Sequence, residues 1–262
     1  MVALVTGGGR GADGGMGAAI CRVFGQAGAR VAVNDVTAEA TEATVRQLEA
    51  MGAEAIGLVG DVSNRQSAES LVARTVERFG RIDILVNNAG IGGRRAPVVE
   101  LRDEDWEAVL AVNLHGPFFL ARAAIPHMRQ QRFGRIINIA SLAALRVSLL
   151  GGAQYTASKE ALWGFTRHLA VEVTQHGITV NAIMPGYTLT PLVMAHTSPE
   201  ARDRIAQGIP SLRGATPEEI AYVALFLASR EAGQVSGVAI PVDGAVSVLP
   251  GDITKRRQIL GG

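Results

Sequence analysis

With 262 residues, 48% of them hydrophobic and 19% charged, the chain can bury a large core and lies far from the composition of a disordered segment. Its 25 basic and 24 acidic residues leave a net charge of +1 with the signs interspersed, which excludes a basic stripe for nucleic acid and an acidic tail. No uninterrupted apolar run approaches the ~18 residues of a membrane span, so no membrane partner is expected, and the single cysteine, Cys21, excludes an intrachain disulfide.

In chain order, residues 2–6 read as a short strand that reaches a glycine-rich turn almost at once, and Gly15, Met16 and Gly17 then open an amphipathic helix over 18–26. A second strand, 30–34, ends at Asp35, eighteen residues beyond Gly17. Strand, glycine turn, helix, strand and acid is the order a dinucleotide requires. The glycines let the backbone approach a pyrophosphate, the helix N-terminus supplies N–H donors, and the carboxylate holds the ribose hydroxyls. Helices follow at 38–51, 64–79, from Asp103 through the Asn113 region, 155–176 and 217–228, alternating with strands at 55–60, 82–87, 135–139, 178–184 and 239–242. Such alternation predicts an α/β fold in which a parallel sheet is covered on both faces and ligands bind outside the carboxyl ends of the strands. No repeat, low-complexity tract or linker marks a second domain, so one domain spanning 1–262 is expected.

The helix that begins in QYTASK places Tyr155 and Lys159 four residues apart on one face. An ammonium beside a phenol favours the phenolate; lowering a tyrosine pKa from ~10 by about three units takes roughly 4 kcal/mol of differential stabilisation. A tyrosine tuned in this way exchanges a proton with an alcohol or carbonyl oxygen. The five histidines show no ligand spacing with one another or with Cys21, and no metal is expected.

Taken together these segments resemble the short-chain dehydrogenase/reductase family in its single-domain form, over residues 2 to about 245. Thr6-Gly7 with Gly15-Met16-Gly17 is similar to the TGxxxGxG turn, Asp61-Val62 to the adenine-contacting pair, and Asn88-Ala89-Gly90, preceded by Asn87, to the NNAG motif. Asn113 in VNLHG, Ser141 in INIASLAA, Tyr155 and Lys159 match the active-site set; Pro185, Gly186, Thr188 and Thr190 match the PGxxxT stretch at the nicotinamide. The resemblance implies a Rossmann-type doubly wound parallel sheet of about seven strands. It also implies hydride transfer between a nicotinamide and a secondary alcohol or ketone. Tyr155 is then the acid or base, Ser141 the donor to the substrate oxygen, Lys159 the group that lowers the tyrosine pKa and holds the nicotinamide ribose, and Asn113 the holder of a water that links Lys159 to solvent. Thr188 and Thr190 would orient the carboxamide.

Two departures are visible. Seven residues separate Gly7 from Gly15 where the family has three, and the extra segment contains Asp13, which must point away from a pyrophosphate or pair with Arg10. One extra residue lies between Ser141 and Tyr155, which leaves Ser148 as a weaker substitute for Ser141. Arg10 could attract a 2′-phosphate, whereas Asp35 repels one; NAD is favoured over NADP. The substrate pocket is expected from 142–154 and a loop at 187–212, rich in Leu, Val, Met and Ala, and suits an apolar secondary alcohol or ketone. Gln154 and Tyr187 are candidate substrate contacts beside Ser141 and Tyr155, with Arg146 and His196 as further polar candidates. With no leader-like segment ahead of the first strand, a cytoplasmic location is expected; by resemblance, so is a homotetramer. The tail at 246–262 lies outside the resemblance. Alternatives are an NADP-dependent 3-ketoacyl-type reductase and a non-catalytic nucleotide-binding protein of the same fold.

Overall fold

Seven short segments dominated by Val, Ile, Leu and Ala form an all-parallel sheet whose inner strands are buried on both faces, while the two edge strands are partly exposed. The seven are β1 (Val2–Val5), β2 (Arg30–Asp35), β3 (Ala55–Val59), β4 (Ile84–Asn87), β5 (Gly134–Ile139), β6 (Ile178–Pro185) and β7 (Ala239–Val242). The structure, a computed structural model, describes residues 1–11, 14–148 and 151–249, without the side chains of Leu192 and His196. Asp13 and most of the tail, 250–262, therefore lie outside the described residues, as does the His196 side chain.

The strands pair in the order β3-β2-β1-β4-β5-β6-β7, every pair parallel. The order reverses between β1 and β4, so the turns that leave these two strands diverge and open a crevice at their carboxyl ends. Helices α1 (Met16–Gln26), α2 (Ala38–Ala50), α3 (Arg65–Phe79), α4 (Asp103–Leu110), α5 (Gly116–Gln131), α6 (Ala153–Val173), α7 (Pro191–His196), α8 (Pro199–Gln207) and α9 (Pro217–Ala228) connect and cover the strands. Alternation within β1 shows how the faces are divided. Leu4 joins Leu71, Leu120, Met128 and Leu169 in one core layer, while Ala3 and Val5 join Ile20, Phe24, Leu48 and Ile220 in the other.

Two features differ from the sequence expectation. A long helix, α5, occupies 116–131, beyond the Asn113 region to which the sequence reading carried the helix. Pro117 sits in the first turn, where its missing N–H costs nothing, and burial of Leu120, Ala124 and Met128 outweighs the interruption at Pro126. Between α4 and α5 lies a π turn, Ala111–His115, so the three run on as one helix, Asp103–Gln131. By length and composition this helix is apolar enough to cross a membrane, although Asn113, His115 and Arg122 interrupt its apolar run; here it packs on the sheet with Val109, Leu120 and Ala124 buried.

Candidate active site

β5 delivers Ser141 just past its end, where the serine caps a single 3-10 turn, Leu142–Ala144, by accepting from the Ala143 amide at 3.1 Å. α6 brings Tyr155 into hydrogen-bond contact with the Ser141 hydroxyl, and Lys159 lies one turn further along, its Nζ 5.7 Å from the centre of the Tyr155 ring. Gly151 is required beside the phenol, since a β-carbon there would lie 2.5 Å from Tyr155 Cδ1. Ser148 is occupied elsewhere: its Oγ accepts from the Gly151 amide at 3.1 Å, and the contact to the phenol belongs to Ser141.

The electrostatics run against the expected tuning. Burial pushes the Tyr155 phenol above its ordinary value, opposed by the hydrogen bond from Ser141. Lys159 is itself almost wholly buried. Desolvation brings its pKa down from 10.5 to about 8, and its ammonium donates to the Ile139 carbonyl at 2.8 Å.

Asn113 sits in the π turn, an irregularity that commonly marks functional sites. Its Oδ1 accepts from the Ile91 amide at 2.9 Å, while its Nδ2 donates to the Ile91 carbonyl at 3.0 Å and to Ser158 Oγ at 3.1 Å. A β-carbon on Gly90 would lie 3.3 Å from Asn113 Oδ1 and 3.5 Å from Lys159 Nζ, a measure of how closely the two groups converge beneath the turn after β4. Ser158 was not singled out from the sequence. Its role is visible only once α6 is set against the π turn.

The remaining motifs gather around the same crevice. Asn88 donates from Nδ2 to the Thr6 and Gly7 carbonyls at 2.9 and 3.0 Å, and Thr6 Oγ1 accepts from the amides of Asn88 and Ala89, which lashes the turn after β4 to the turn after β1. A β-carbon on Gly17 would overlap the Gly7 carbonyl oxygen, so only glycine lets α1 dock this closely. Gly15 is the N-cap of α1 and no side chain caps the helix, which leaves its first-turn amides for an anionic group. Thr190 faces Gly15 across the crevice, its methyl 3.5 Å from where a Gly15 β-carbon would stand, and its hydroxyl caps α7. Gly186, following Pro185, donates its amide to the Val242 carbonyl, and Thr188 Oγ1 donates to the Gly186 carbonyl at 3.3 Å.

Asp35 closes β2 with Oδ1 accepting from Val36 N at 2.8 Å and Oδ2 from Gly9 N at 3.1 Å. Arg10 stands with its backbone in the left-handed region, φ 73°, and its side chain exposed. Asp61 Oδ1 accepts from the Ser63 amide and hydroxyl, and Val62 packs under Gly116.

Of the substrate candidates, Gln154 lies within the packing after β4. It is fully buried, wedged between Gly93 and Gly152; its Nε2 donates to the Arg94 carbonyl at 2.7 Å and braces the loop after β4, while its Oε1 is buried without a hydrogen-bond partner. The Tyr187 hydroxyl is likewise buried without a hydrogen-bond partner. An uncapped α1, a Gly17 that admits no β-carbon and a carboxylate closing β2 fit a nicotinamide dinucleotide.

Comparison with known proteins agrees with this geometry. The profile of the family described as Enoyl-(Acyl carrier protein) reductase matches residues 9–247. The Short-chain reductase protein NovJ of Streptomyces niveus is 42% identical over 93% of this chain and 92% of its own length. The 3-oxoacyl-[acyl-carrier-protein] reductase FabG of Thermotoga maritima is 38% identical over 94% of this chain and 98% of its own. The crystal structure of levodione reductase superposes with a TM-score of 0.89 at 35% identity, covering 95% of this chain and 98% of that one. The chain belongs to the short-chain dehydrogenase/reductase family, oxidoreductases that act on CH–OH groups with a nicotinamide dinucleotide.

Proposed function

We propose that the chain, acting as one catalytic domain, is an NAD(H)-dependent dehydrogenase that interconverts a secondary alcohol and its ketone, with Tyr155 as the acid or base. The observation that carries this reading is the convergence of Ser141, Tyr155 and Lys159 at the end of β5, within a crevice shaped for a dinucleotide. When bound, the nicotinamide supplies or accepts the hydride at the substrate carbon. Ser141 holds the substrate oxygen against the phenol, and Tyr155 gives a proton to that oxygen in reduction or takes it in oxidation. Lys159, shielded from water, carries a positive charge near the phenol at neutral pH, and Asn113 fixes the turn above it.

NAD is preferred because the Asp35 carboxylate, held by two backbone amides, meets the ribose diol and repels a 2′-phosphate at close range. A cleft of about 690 Å³ adjoins the turn that carries Tyr155, although Tyr155 is not among its described lining residues. Ala96, Pro97, Val147 and Ala153 give it an apolar wall suited to the unreacting part of a hydrophobic substrate, and the orphaned Tyr187 hydroxyl can donate to a polar group. We further propose a cytoplasmic location and a homotetramer. Exposed Phe118 and Val171 on α5 and α6, and Tyr222 and Phe226 on α9, supply apolar faces for assembly, and a monomer in light scattering would refute it.

A second reading, an NADP-dependent 3-oxoacyl-type reductase, is favoured by the FabG relative. Initial rates with NAD and NADP at equal concentration, over a panel of secondary alcohols and 3-oxoacyl thioesters, separate the two. We expect NAD and a simple secondary alcohol; NADP with the thioesters would transfer the assignment to the second reading.

A further inference from the structure

The long turn between β1 and α1 does not stand free. Three successive amides are committed to the β2–α2 segment: Gly9 N donates to Asp35 Oδ2 at 3.1 Å, Arg10 N to the Ala40 carbonyl at 2.7 Å and Gly11 N to Thr44 Oγ1 at 2.8 Å. The Thr44 hydroxyl in turn donates to the Gly8 carbonyl at 2.9 Å, so one fully buried side chain grips both ends of the Gly8 to Gly11 stretch. The seat is made by Ala40, Ala43 and Thr44, which share a face of α2 at i, i+3 and i+4. The fit is tight. A β-carbon on Gly9 would lie 2.8 Å from Ala40 Cβ, and one on Gly11 would lie 3.0 Å from the Ala43 carbonyl oxygen.

Two consequences follow for a bound dinucleotide. The amides of residues 9 to 11 are already spent, so the pyrophosphate must draw on the uncapped first turn of α1. The Gly9 amide also fixes one oxygen of Asp35, and therefore the direction in which the carboxylate meets the adenosine ribose. We propose that Thr44 is a positioning residue for the adenosine half of the cofactor: by seating the glycine turn on α2 it holds the Gly9 amide on Asp35 and sets that carboxylate toward the ribose diol. The inference rests on the NAD reading above and adds a residue that touches neither cofactor nor substrate.

The test is direct titration of NADH by fluorescence, with reduced nicotinamide mononucleotide as a second probe that lacks the adenosine half. Thr44→Val keeps the volume and removes the hydroxyl, leaving the Gly8 carbonyl and the Gly11 amide without their partner. NADH affinity should fall about tenfold, the effect of a lost buried hydrogen bond. Affinity for the mononucleotide should stay unchanged, and Thr44→Ser, which restores the hydroxyl, should bind NADH within about twofold of wild type on the same reasoning. Should the valine variant not fold, Thr44→Ala is read in its place with the same expectation. Unchanged NADH affinity in the valine and alanine variants would overturn the role of Thr44, as would equal weakening of the two probes, which is the signature of general damage. Wild-type protein that binds no NADH would instead overturn the cofactor reading, and this inference with it.

Discussion

Replacing Lys159 by methionine should make the protein more stable at neutral pH while removing its activity. The ammonium is buried and donates to the Ile139 carbonyl at 2.8 Å, and burial brings its pKa from 10.5 to about 8. That interval corresponds to on the order of 3 kcal/mol disfavouring the charged form in the folded state. Methionine keeps an unbranched chain in the same space and loses the hydrogen bond, at a cost of about 1 kcal/mol. The net gain at pH 7 is ~2 kcal/mol, which for a chain of this size raises Tm by roughly 4–8 °C. The sign with pH follows from proton binding. Between about 8 and 10.5 the folded lysine has released its proton and the unfolded one has not, so the wild type gains stability as pH rises through this window. Thermal unfolding followed by circular dichroism at pH 7 and again near pH 9.5 should show the variant ahead and then the gap narrowing. A Lys159→Met protein less stable than wild type at pH 7, or a gap indifferent to pH, would refute the reasoning.

Three further substitutions test other parts of the site. Gly17→Ala forces a β-carbon onto the Gly7 carbonyl and within 2.5 Å of Asn88 Nδ2, so α1 must back away; we expect a loss of 1–3 kcal/mol, about that of an overpacked core, together with weakened NADH binding, and an unchanged Tm would contradict it. Asn113→Ala strips the Ile91 amide and carbonyl of their partners and should lower the denaturant midpoint by the equivalent of about 2 kcal/mol; a neutral result would mean that the π turn holds itself. Asp35→Ala removes the repulsion of a 2′-phosphate and should lower the NAD to NADP ratio of kcat/KM by at least about tenfold, the size of a modest electrostatic preference. A ratio that does not move would place selectivity elsewhere.

The sheet and the placing of Tyr155 and Lys159 on one helix were legible because each carries a strong local signal. Val-rich strands separated by amphipathic helices fix a parallel α/β sheet, and the four-residue spacing of Tyr155 and Lys159 puts them on one helix face wherever that helix lies. Properties that depend on what comes to lie opposite were not legible. The upward shift of the Tyr155 phenol arises from burial, which the spacing does not report, and Gln154 stands next to Tyr155 in sequence yet points into the packing between Gly93 and Gly152. Helix α5 keeps its course through Pro126 because one face buries Leu120, Ala124 and Met128, a packing that the sequence alone does not report. The seat of the glycine turn had a faint trace in the small residues Ala40, Ala43 and Thr44, but only the folded pairing of turn and helix gives that spacing a meaning.

The most direct measurement is nicotinamide absorbance during NAD reduction by the best alcohol of the panel, with wild-type and Tyr155→Phe proteins run side by side and NADH binding titrated for each. Removing only the phenolic oxygen should cut kcat by at least about 10², the lower end for a lost general acid or base, and leave the NADH dissociation constant within about threefold. A phenylalanine variant that still turns over at a comparable rate would show that Tyr155 is not the acid or base.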